Sequence, residues 1–322
     1  MRVAPLVALA IALLGGSAPS SAQAPPRSAR VGVLIFSTPT EPNVATFRDA
    51  MRERGWTEGR NLWLDYRFAD GRAERLPELA AELVALKPDL IYALGGDVAP
   101  SAKRATSTIP IVAVTSNDPV ADGLIASLAR PGGNVTGLTF LLSDLAAKRV
   151  EILREIAPKV SVVGVLWNPE HRDPDFKDSQ GAAAKLGMRV VSLEVRRPPD
   201  FDAAFQMALH ERIDALIIVS SRLMSRERAR VLEFATRHRL AMATGWGEWA
   251  EGGALLTYGP NIGEIVRRSA THVDRILRGA RPADLPFEQP TRFELVLNLR
   301  VAEALGLTPP PALLARADRV IR

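Results

Sequence analysis

Hydrophobic and polar residues follow two alternating periods along this chain. Residues 31–36 form an unbroken apolar run with β-branched members, which is typical of a strand buried on both faces of a parallel sheet. Phe47 and Met51 follow at helical spacing, and Gly55 predicts the end of that helix. Strand-like and helix-like segments continue in turn as far as Thr115. This order predicts right-handed βαβ units in a doubly wound sheet.

The same order recurs in the second half of the chain. The strand that begins at Val31 has a counterpart at Val163, and the one that contains Asp89 has a counterpart at Asp214. Similar apolar runs at 109–115 and 240–245 make a third pair. The offsets are 132, 125 and 131 residues. Chance similarity between α/β units is the alternative, but a nearly constant offset favours two similar domains over it, and the period is far too long for a solenoid.

The first 24 residues have the pattern of a secretory signal peptide. Arg2 gives a positive start, residues 3–14 are almost wholly apolar, and the segment ends in small residues at Ala22 and Ala24. The apolar run is too short to span a bilayer comfortably, and no second long run follows. We therefore expect residues 1–24 to be removed and the mature chain, which begins near Pro25, to be soluble.

The composition limits the cellular compartment and the classes of partner that the sequence predicts. The 322 residues contain no cysteine, which excludes disulfides, thiolate metal sites and a lipid-modified cysteine after the signal. Without a lipid anchor, retention by an outer membrane is the simplest arrangement, so we expect a periplasmic protein. The formal charge of +5 is spread among mixed acidic and basic residues. Such a surface is typical of solvated faces and does not predict a nucleic-acid partner.

Enzyme signatures are missing from the predicted strand ends. No dinucleotide or P-loop glycine pattern follows the first strand, Gly95 and Gly96 are only a glycine pair, and no Gly-x-Ser-x-Gly elbow is present. Of the four histidines, only His171 lies near a strand end; the other three, in or beside predicted helices, are expected to be solvated or to cap helix ends. We therefore predict no catalytic residue, no metal site and no cofactor.

Several sequence blocks carry a family resemblance. They are residues 118–137, with Asp-Pro-Val at the start and Pro-Gly-Gly-Asn-Val-Thr-Gly at the end, and residues 163–169, 258–261, 293–299 and 304–310. Together they resemble the substrate-binding proteins of a bacterial ABC-importer family that includes binders of tryptophan and other aromatic amino acids. The resemblance covers about residues 30–321. Residues 244–254, with their tryptophan pair, depart from the tryptophan binders.

The resemblance implies a type I periplasmic-binding-protein fold. In that fold two doubly wound α/β lobes are joined by three crossovers and close around a ligand like a Venus flytrap. The crossovers are expected near residues 139–142, 257–261 and 287–291. The N-terminal lobe would then consist of residues 29–140 and 260–288, and the C-terminal lobe of residues 141–258 and 289–322.

Ligands of doubly wound sheets bind at the carboxyl ends of the strands, so the candidate site lies in the cleft between the lobes. The first lobe contributes Phe36, Ser37, Gly96, Asp97, Thr115, Asn117 and Asp118. The second contributes Trp167, Asn168, Ser220, Ser221, Thr244 and Trp246, and Tyr258 lies at a crossover. Other roles are open for some: a turn cap for Asp118, caps of a helix predicted over residues 225–234 for Ser220 and Ser221, and hinge packing for Tyr258.

The same residues indicate a ligand class. Arg222 is the one basic residue at a predicted strand end, which disfavours a phosphorylated or polyanionic ligand. Phe36, Trp167 and Trp246 would form flat apolar walls. Asp97 or Asp118 could pair with an ammonium group, and the helix start near residues 97–101 could hold a carboxylate. We expect a zwitterionic or carboxylated compound with an aromatic or other planar apolar body.

These observations predict a periplasmic solute-binding protein that captures a small organic ligand and delivers it to an inner-membrane ABC permease. We expect it to act as a monomer and to perform no chemistry. A ligand-sensing subunit for a membrane receptor is an alternative that the sequence leaves open. An enzyme on the same two lobes is another, with Asp97, Asp118, Glu248 and His171 as its acid-base candidates.

Overall fold

The computed structural model describes residues 28–96, 98–116, 118–140, 145–170 and 175–322. The predicted signal peptide lies outside these residues, as do Asp97, Asn117 and His171. The described chain forms two separate β-sheets, each covered by helices.

The first sheet has five parallel strands in the order β2-β1-β3-β4-β5. Its strands are β1 (Ala29–Ile35), β2 (Leu62–Phe68), β3 (Leu90–Leu94), β4 (Ile111–Thr115) and β5 (Val135–Thr139). The helices between them are α1 (Pro42–Glu53), α2 (Leu76–Ala85) and α3 (Val98–Ala105). Every residue of β3, β4 and β5 is buried, as the unbroken apolar runs predict for strands covered on both faces.

The second sheet has seven strands in the order β12-β11-β10-β9-β8-β6-β7. They are β6 (Val162–Trp167), β7 (Arg189–Glu194), β8 (Ala215–Ile218), β9 (Ala241–Thr244), β10 (Leu256–Gly259), β11 (Glu294–Asn298) and β12 (Arg319–Ile321). The helices that follow β5 in the chain are α4 (Ala146–Ile156), α5 (Asp175–Lys185), α6 (Asp200–His210), α7 (Arg222–Arg226), α8 (Arg228–Arg237), α9 (Glu248–Glu251), α10 (Ile262–Leu277), α11 (Leu299–Leu305) and α12 (Pro311–Arg316). Only β10 and β11 pair antiparallel.

The predicted repeat is visible in the topology. The order β7-β6-β8-β9-β10 in the second sheet matches β2-β1-β3-β4-β5 in the first. Each sheet with the helices that pack on it forms one lobe, here called the first lobe and the second lobe. Helix α10 follows β10 in sequence, but it packs in the first lobe, where Ile265, Val266 and Val273 share a core with Val33 and Tyr92.

The chain passes between the sheets after β5, after β10 and again before β11. The last of these passages runs beside the first: the Thr139 N–H donates to the Glu288 carbonyl over 2.9 Å, and the Glu288 N–H donates to the Gly137 carbonyl over 2.9 Å. Gly137 has a φ of +149°, and a Cβ there would overlap the Ala113 carbonyl oxygen. Glycine is therefore required where the first passage begins.

Two local expectations are wrong. The helix predicted over residues 225–234 is two helices, α7 and α8, which meet at Glu227, and its cap is Ser221, whose Oγ accepts the Met224 N–H over 3.3 Å. His272 is buried rather than solvated, because it lies on the face of α10 that packs against the first sheet. One of its ring nitrogens, Nε2, is hydrogen-bonded to the Pro286 carbonyl over 3.1 Å.

Candidate functional site

The carboxyl ends of the two sheets meet across a cleft. Phe36 follows β1 in the first lobe, and Arg222 begins α7 in the second. The guanidinium carbon of Arg222 lies 4.0 Å from the centre of the Phe36 ring, which is cation–π distance. The lobes are therefore in contact at the strand ends, where the sequence placed the site.

Each lobe has a glutamate close to its strand ends. Glu41, just before α1, accepts hydrogen bonds from Ser37 Oγ and from Asn43 Nδ2, both over 2.7 Å. Glu248 begins α9 in the second lobe and stays exposed to solvent although protein surrounds it. Partial desolvation raises the pKa of Glu248. The hydrogen bond from its own backbone N–H and the charge of Arg228 act in the opposite direction, and the charge of Glu41 makes the smallest contribution, which raises it.

In the first lobe the floor of the cleft is formed by internally bonded groups. Thr115 ends β4 and is fully buried, and its hydroxyl donates to the Gly96 carbonyl over 3.4 Å. Thr139 ends β5 and lies opposite Thr115 in register. Neither threonine is without a partner.

The second lobe has hydroxyl groups at the equivalent positions, but they are not bonded in the same way. Thr244 ends β9 and lies opposite Thr257 of β10, and Ser220 follows β8. All three are buried, and their hydroxyl oxygens have no hydrogen-bond partner among the described residues. Thr257 is not among the residues that the sequence singled out.

The two tryptophans after β9 differ in their surroundings. Trp246 is half-buried, whereas Trp249 is fully buried and belongs to the core on one face of the second sheet. Their ring centres are 6.3 Å apart. Trp249 thus packs the interior, and Trp246 packs against the edge of the same core. The Nε1 of Trp249 also has no hydrogen-bond partner within the described part of the chain.

Several predicted site residues have local structural partners. Asp118 is exposed, and its Oδ1 accepts the Val120 N–H over 2.8 Å and the Ala121 N–H over 3.2 Å, as a turn cap does. Asn168 accepts the Glu170 N–H over 2.9 Å in the same manner. These contacts leave the proposed roles of both residues in ligand binding untested.

Trp167 at the end of β6 is also engaged within its own lobe. Its indole nitrogen donates to Ser192 Oγ over 2.8 Å, and its ring stacks on Phe176 with 4.2 Å between centres. One face of the ring is therefore covered by protein. Only the part that stays half-exposed could reach a ligand.

Tyr258 marks the passage from the second lobe back to the first. It is half-buried, and its carbonyl accepts a hydrogen bond from Arg149 Nη1 over 3.4 Å. Arg149 also forms an ion pair with Asp175, in which neither side chain is exposed by more than 1%. The buried pair fixes α4, α5 and the β10 crossover relative to one another.

The sequence did not identify Glu41, Thr257 or Arg149. Glu41 precedes Pro42 at a helix start, which indicates a cap and not a cleft residue, and Arg149 is an ordinary basic residue in a helical pattern. The one signal for Thr257 was the internal repeat, because it corresponds to Thr139 at the matching strand.

Other site types receive no support within the described part of the chain. In those residues no group of three or more histidine, aspartate and glutamate side chains could hold a metal ion. A surface pocket of about 660 Å³, lined in part by Arg30, Trp63 and Asp89, lies where β1 begins. It is therefore at the opposite end of the strands from the cleft. Across the described residues, no helix is both long and apolar enough to cross a membrane.

Known proteins resemble this chain in sequence and in fold. The tyrosine-binding protein of Clostridioides difficile (strain R20291) is 27% identical over 263 residues, which are 81% of this chain and 75% of that protein. A conserved domain protein of Vibrio cholerae is 29% identical with a TM-score of 0.82, covering 91% of this chain and all of that one. An ABC domain of Streptococcus pneumonia, solved with L-Trp, is 22% identical with a TM-score of 0.81 and the same coverage.

The structural neighbours confirm the predicted two-lobed type I periplasmic-binding-protein fold. Residues 31–321, nearly the whole of the described chain, match the family of ABC transporter substrate binding proteins. The protein belongs to this family, whose members bind a small-molecule solute for an ABC permease.

Proposed function

We propose that this protein is a periplasmic solute-binding protein that captures an aromatic or similarly planar amino acid between its lobes and releases it to an inner-membrane permease. The observation that carries the proposal is the meeting of the two lobes at their strand ends, where Arg222 lies on Phe36. A group held there touches both lobes at once. Ligand binding and lobe closure are then the same event.

The names of the relatives support the ligand class. The C. difficile relative is called a tyrosine-binding protein, and the Streptococcus structure holds L-Trp. In this chain Phe36 and Trp246 are half-buried at the cleft and offer the flat apolar surfaces that an aromatic body needs. The other residues of the proposed site are Ser37, Gly96, Asp97, Thr115, Asn117, Asp118, Trp167, Asn168, Ser220, Ser221, Thr244 and Tyr258.

The lobes in this proposal have the limits expected from the sequence: 29–140 with 260–288, and 141–258 with 289–322. The packing of α10 in the first lobe and the pairing of β11 and β12 in the second support this division. We further propose that the protein acts as a monomer, is exported by a cleaved signal peptide and catalyses no reaction on its ligand. Membership of a transport family supports the binding role.

The experiment is a ligand screen on the mature protein. Thermal shift with the common L-amino acids, sugars, dicarboxylates and divalent cations would be followed by calorimetry on every compound that stabilises. A ligand that binds only the folded protein raises its stability by RT ln(1 + [L]/Kd), so tyrosine, tryptophan or phenylalanine should raise the Tm. Stabilisation by sugars or metal ions alone would contradict the proposed ligand class, and turnover of a bound compound would contradict a purely binding role.

A further inference from the structure

A side-chain contact between Arg222 and Phe36 bridges the cleft. The guanidinium carbon of Arg222, in the second lobe, lies 4.0 Å from the centre of the Phe36 ring, in the first. The three crossovers join the lobes through the backbone, so they persist however the lobes are arranged. The contact between Arg222 and Phe36 has no such covalent support. It can therefore break and form again as the lobes move.

The position of Phe36 is set by the first lobe. Its N–H donates to the Leu94 carbonyl over 3.3 Å, and its own carbonyl accepts the Gly71 N–H over 2.9 Å. A Cβ added to Gly95 would lie 3.2 Å from the Cβ of Phe36, so the end of β3 passes close to it. The side chain packs against a core that contains buried residues of α2 and α3. The ring therefore moves with the first lobe.

The position of Arg222 is set by the second lobe. It is the first residue of α7, whose N-cap is Ser221, and Met224 of the same helix is fully buried in a core that includes Ile218. A basic residue is unfavourable at a helix start, where the helix dipole is positive, and the first turn of α7 has no acidic residue to compensate. Helix stability does not explain Arg222 at this position, whereas the contact with Phe36 does.

The contact exists only while the strand ends of the two lobes are together, because each partner is anchored in its own lobe. An aromatic ring attracts a guanidinium that lies over its face, and both side chains are half-buried, so water screens the attraction only in part. Breaking such a contact changes an equilibrium constant roughly fivefold. Residues of the chain itself therefore favour the closed arrangement of the lobes.

We propose that Arg222 and Phe36 form a latch, which favours the closed lobes whether or not a ligand is bound. The latch rests on the proposed function only in that closure serves capture. A ligand that binds the closed form has an apparent Kd equal to its intrinsic Kd divided by the closed fraction. The latch raises this fraction and so strengthens the binding of every ligand by the same factor. A residue that contacts the ligand would affect each ligand differently.

The first test uses the protein without added ligand. Thr40→Cys in the first lobe and Arg228→Cys in the second would carry spin labels, since both residues are exposed and the sequence has no other cysteine. Pulsed electron–electron double resonance would give the population at the label distance of this structure and at longer distances. In Arg222→Gln we expect the ratio of the first population to the second to fall about fivefold.

Two further variants show whether the change is specific to Arg222. Arg222→Lys should lower the ratio less than Arg222→Gln does, because it keeps the positive charge but not the planar guanidinium. Arg237→Gln is the matched control, since it removes the same charge from an exposed position where Arg237 is paired with Glu233 of the same helix. The control should leave the ratio unchanged. Thermal melting would confirm that each variant is folded.

A double-mutant cycle shows whether Arg222 acts through the ring. Phe36→Leu removes the aromatic face and should itself lower the ratio of the two populations. In the Phe36→Leu protein, Arg222→Gln should then have little further effect, because the contact is already lost. Effects that simply add would mean that Arg222 acts through another group, and they would overturn the latch.

The second test measures ligand binding by calorimetry. Tyrosine, tryptophan and phenylalanine would be titrated into the parent, Arg222→Gln and Arg237→Gln proteins. For each amino acid that binds, Arg222→Gln should raise the Kd by the same factor, which is no larger than the change in the ratio of the populations. Arg237→Gln should leave each Kd unchanged.

Each outcome decides the proposal. A parent protein with no population at the closed distance, or an unchanged ratio in folded Arg222→Gln, would overturn the latch. A loss of affinity confined to one amino acid would mean that Arg222 contacts that ligand, and tighter binding would mean that it blocks the ring. Either result would overturn the latch and leave the proposed function standing. Failure of every amino acid to bind would contradict the proposed ligand class, while the ratio measured without ligand would still decide the latch.

Discussion

At the scale of single residues, the cleft depends on a few aromatic and polar groups whose surroundings differ more than their residue types do. Trp246 and Trp249 are three positions apart, yet one is half-buried and the other is fully buried in the core. Phe36 is held from the opposite lobe by Arg222. Whether each of these aromatic rings contacts a ligand therefore has to be tested separately.

Trp246 provides the clearest residue-scale prediction. Trp246→Ala should weaken binding of an aromatic amino acid by about 1 kcal/mol or more, because it removes a large apolar face from the cleft wall. Trp63→Ala is the control, since Trp63 is 47% exposed at the start of β2, far from the carboxyl ends of the strands. Calorimetry would measure both variants. If Trp246→Ala bound as tightly as the control, Trp246 would not belong to the site.

Much of this residue-scale picture could be predicted from the sequence, and some of it could not. Thr244, Ser220 and Phe36 were proposed because they end apolar runs, and strand ends are where such sheets bind ligands. Glu41 was not identified because its place before Pro42 indicates a helix cap. No local pattern records which side chains of the two lobes lie opposite each other, as Phe36 and Arg222 do.

At the scale of elements, the alternation of strands and helices could be predicted from the sequence because strands and helices have different hydrophobic periods. The break between α7 and α8 was not, since the polar and basic residues from Ser225 to Arg230 are compatible with a continuous helix.

Gly259 gives a prediction for the crossover after β10. A Cβ at this position would overlap the carbonyl oxygen of Gly245, which directly follows the neighbouring strand β9, so Gly259→Ala should lower the free energy of unfolding by about 1–3 kcal/mol or more. Gly181→Ala on α5 is the control, because a Cβ there meets nothing within 4 Å and alanine favours a helix. Urea unfolding would measure both, and equal stabilities would contradict the close approach of these strands.

His272 connects α10 to the passage that leads back to the second lobe. Burial lowers its pKa, while the hydrogen bond to the Pro286 carbonyl and the nearby Glu288 carboxylate act in the opposite direction; Arg268 and Arg275 lower it further. The folded protein therefore takes up this proton at lower pH than the unfolded chain does. The stability linked to neutral His272 is complete above the unfolded pKa of about 6.5 and is lost as pH falls through the lower folded pKa.

We expect the free energy of unfolding to decrease between pH 7.5 and pH 5 by more in the parent protein than in His272→Gln. Urea unfolding at a series of pH values would give the difference between the two proteins. His238→Gln is the control, because His238 is exposed at the end of α8. An identical pH dependence of the parent and His272→Gln proteins would show that His272 does not control this part of the fold.

At the scale of the whole molecule, two lobes with the same strand order present their strand ends to each other, and the chain crosses between them three times. The crossovers include strand-like backbone that can bend while each lobe keeps its own core. The buried Arg149–Asp175 pair and the backbone bonds between Thr139 and Glu288 stiffen the ends of these connections. Closure by rotation of rigid lobes follows from this construction.

The central claim is that ligand binding closes the lobes, and the absence of cysteine in the sequence makes it directly measurable. Thr40→Cys in the first lobe and Arg226→Cys in the second place two spin labels on exposed residues on opposite sides of the cleft. Pulsed electron–electron double resonance would report the distance between the labels with and without saturating tyrosine or tryptophan. We predict a shorter and narrower distance distribution with the ligand. An unchanged distribution, under conditions where calorimetry shows full occupancy, would contradict capture by closure.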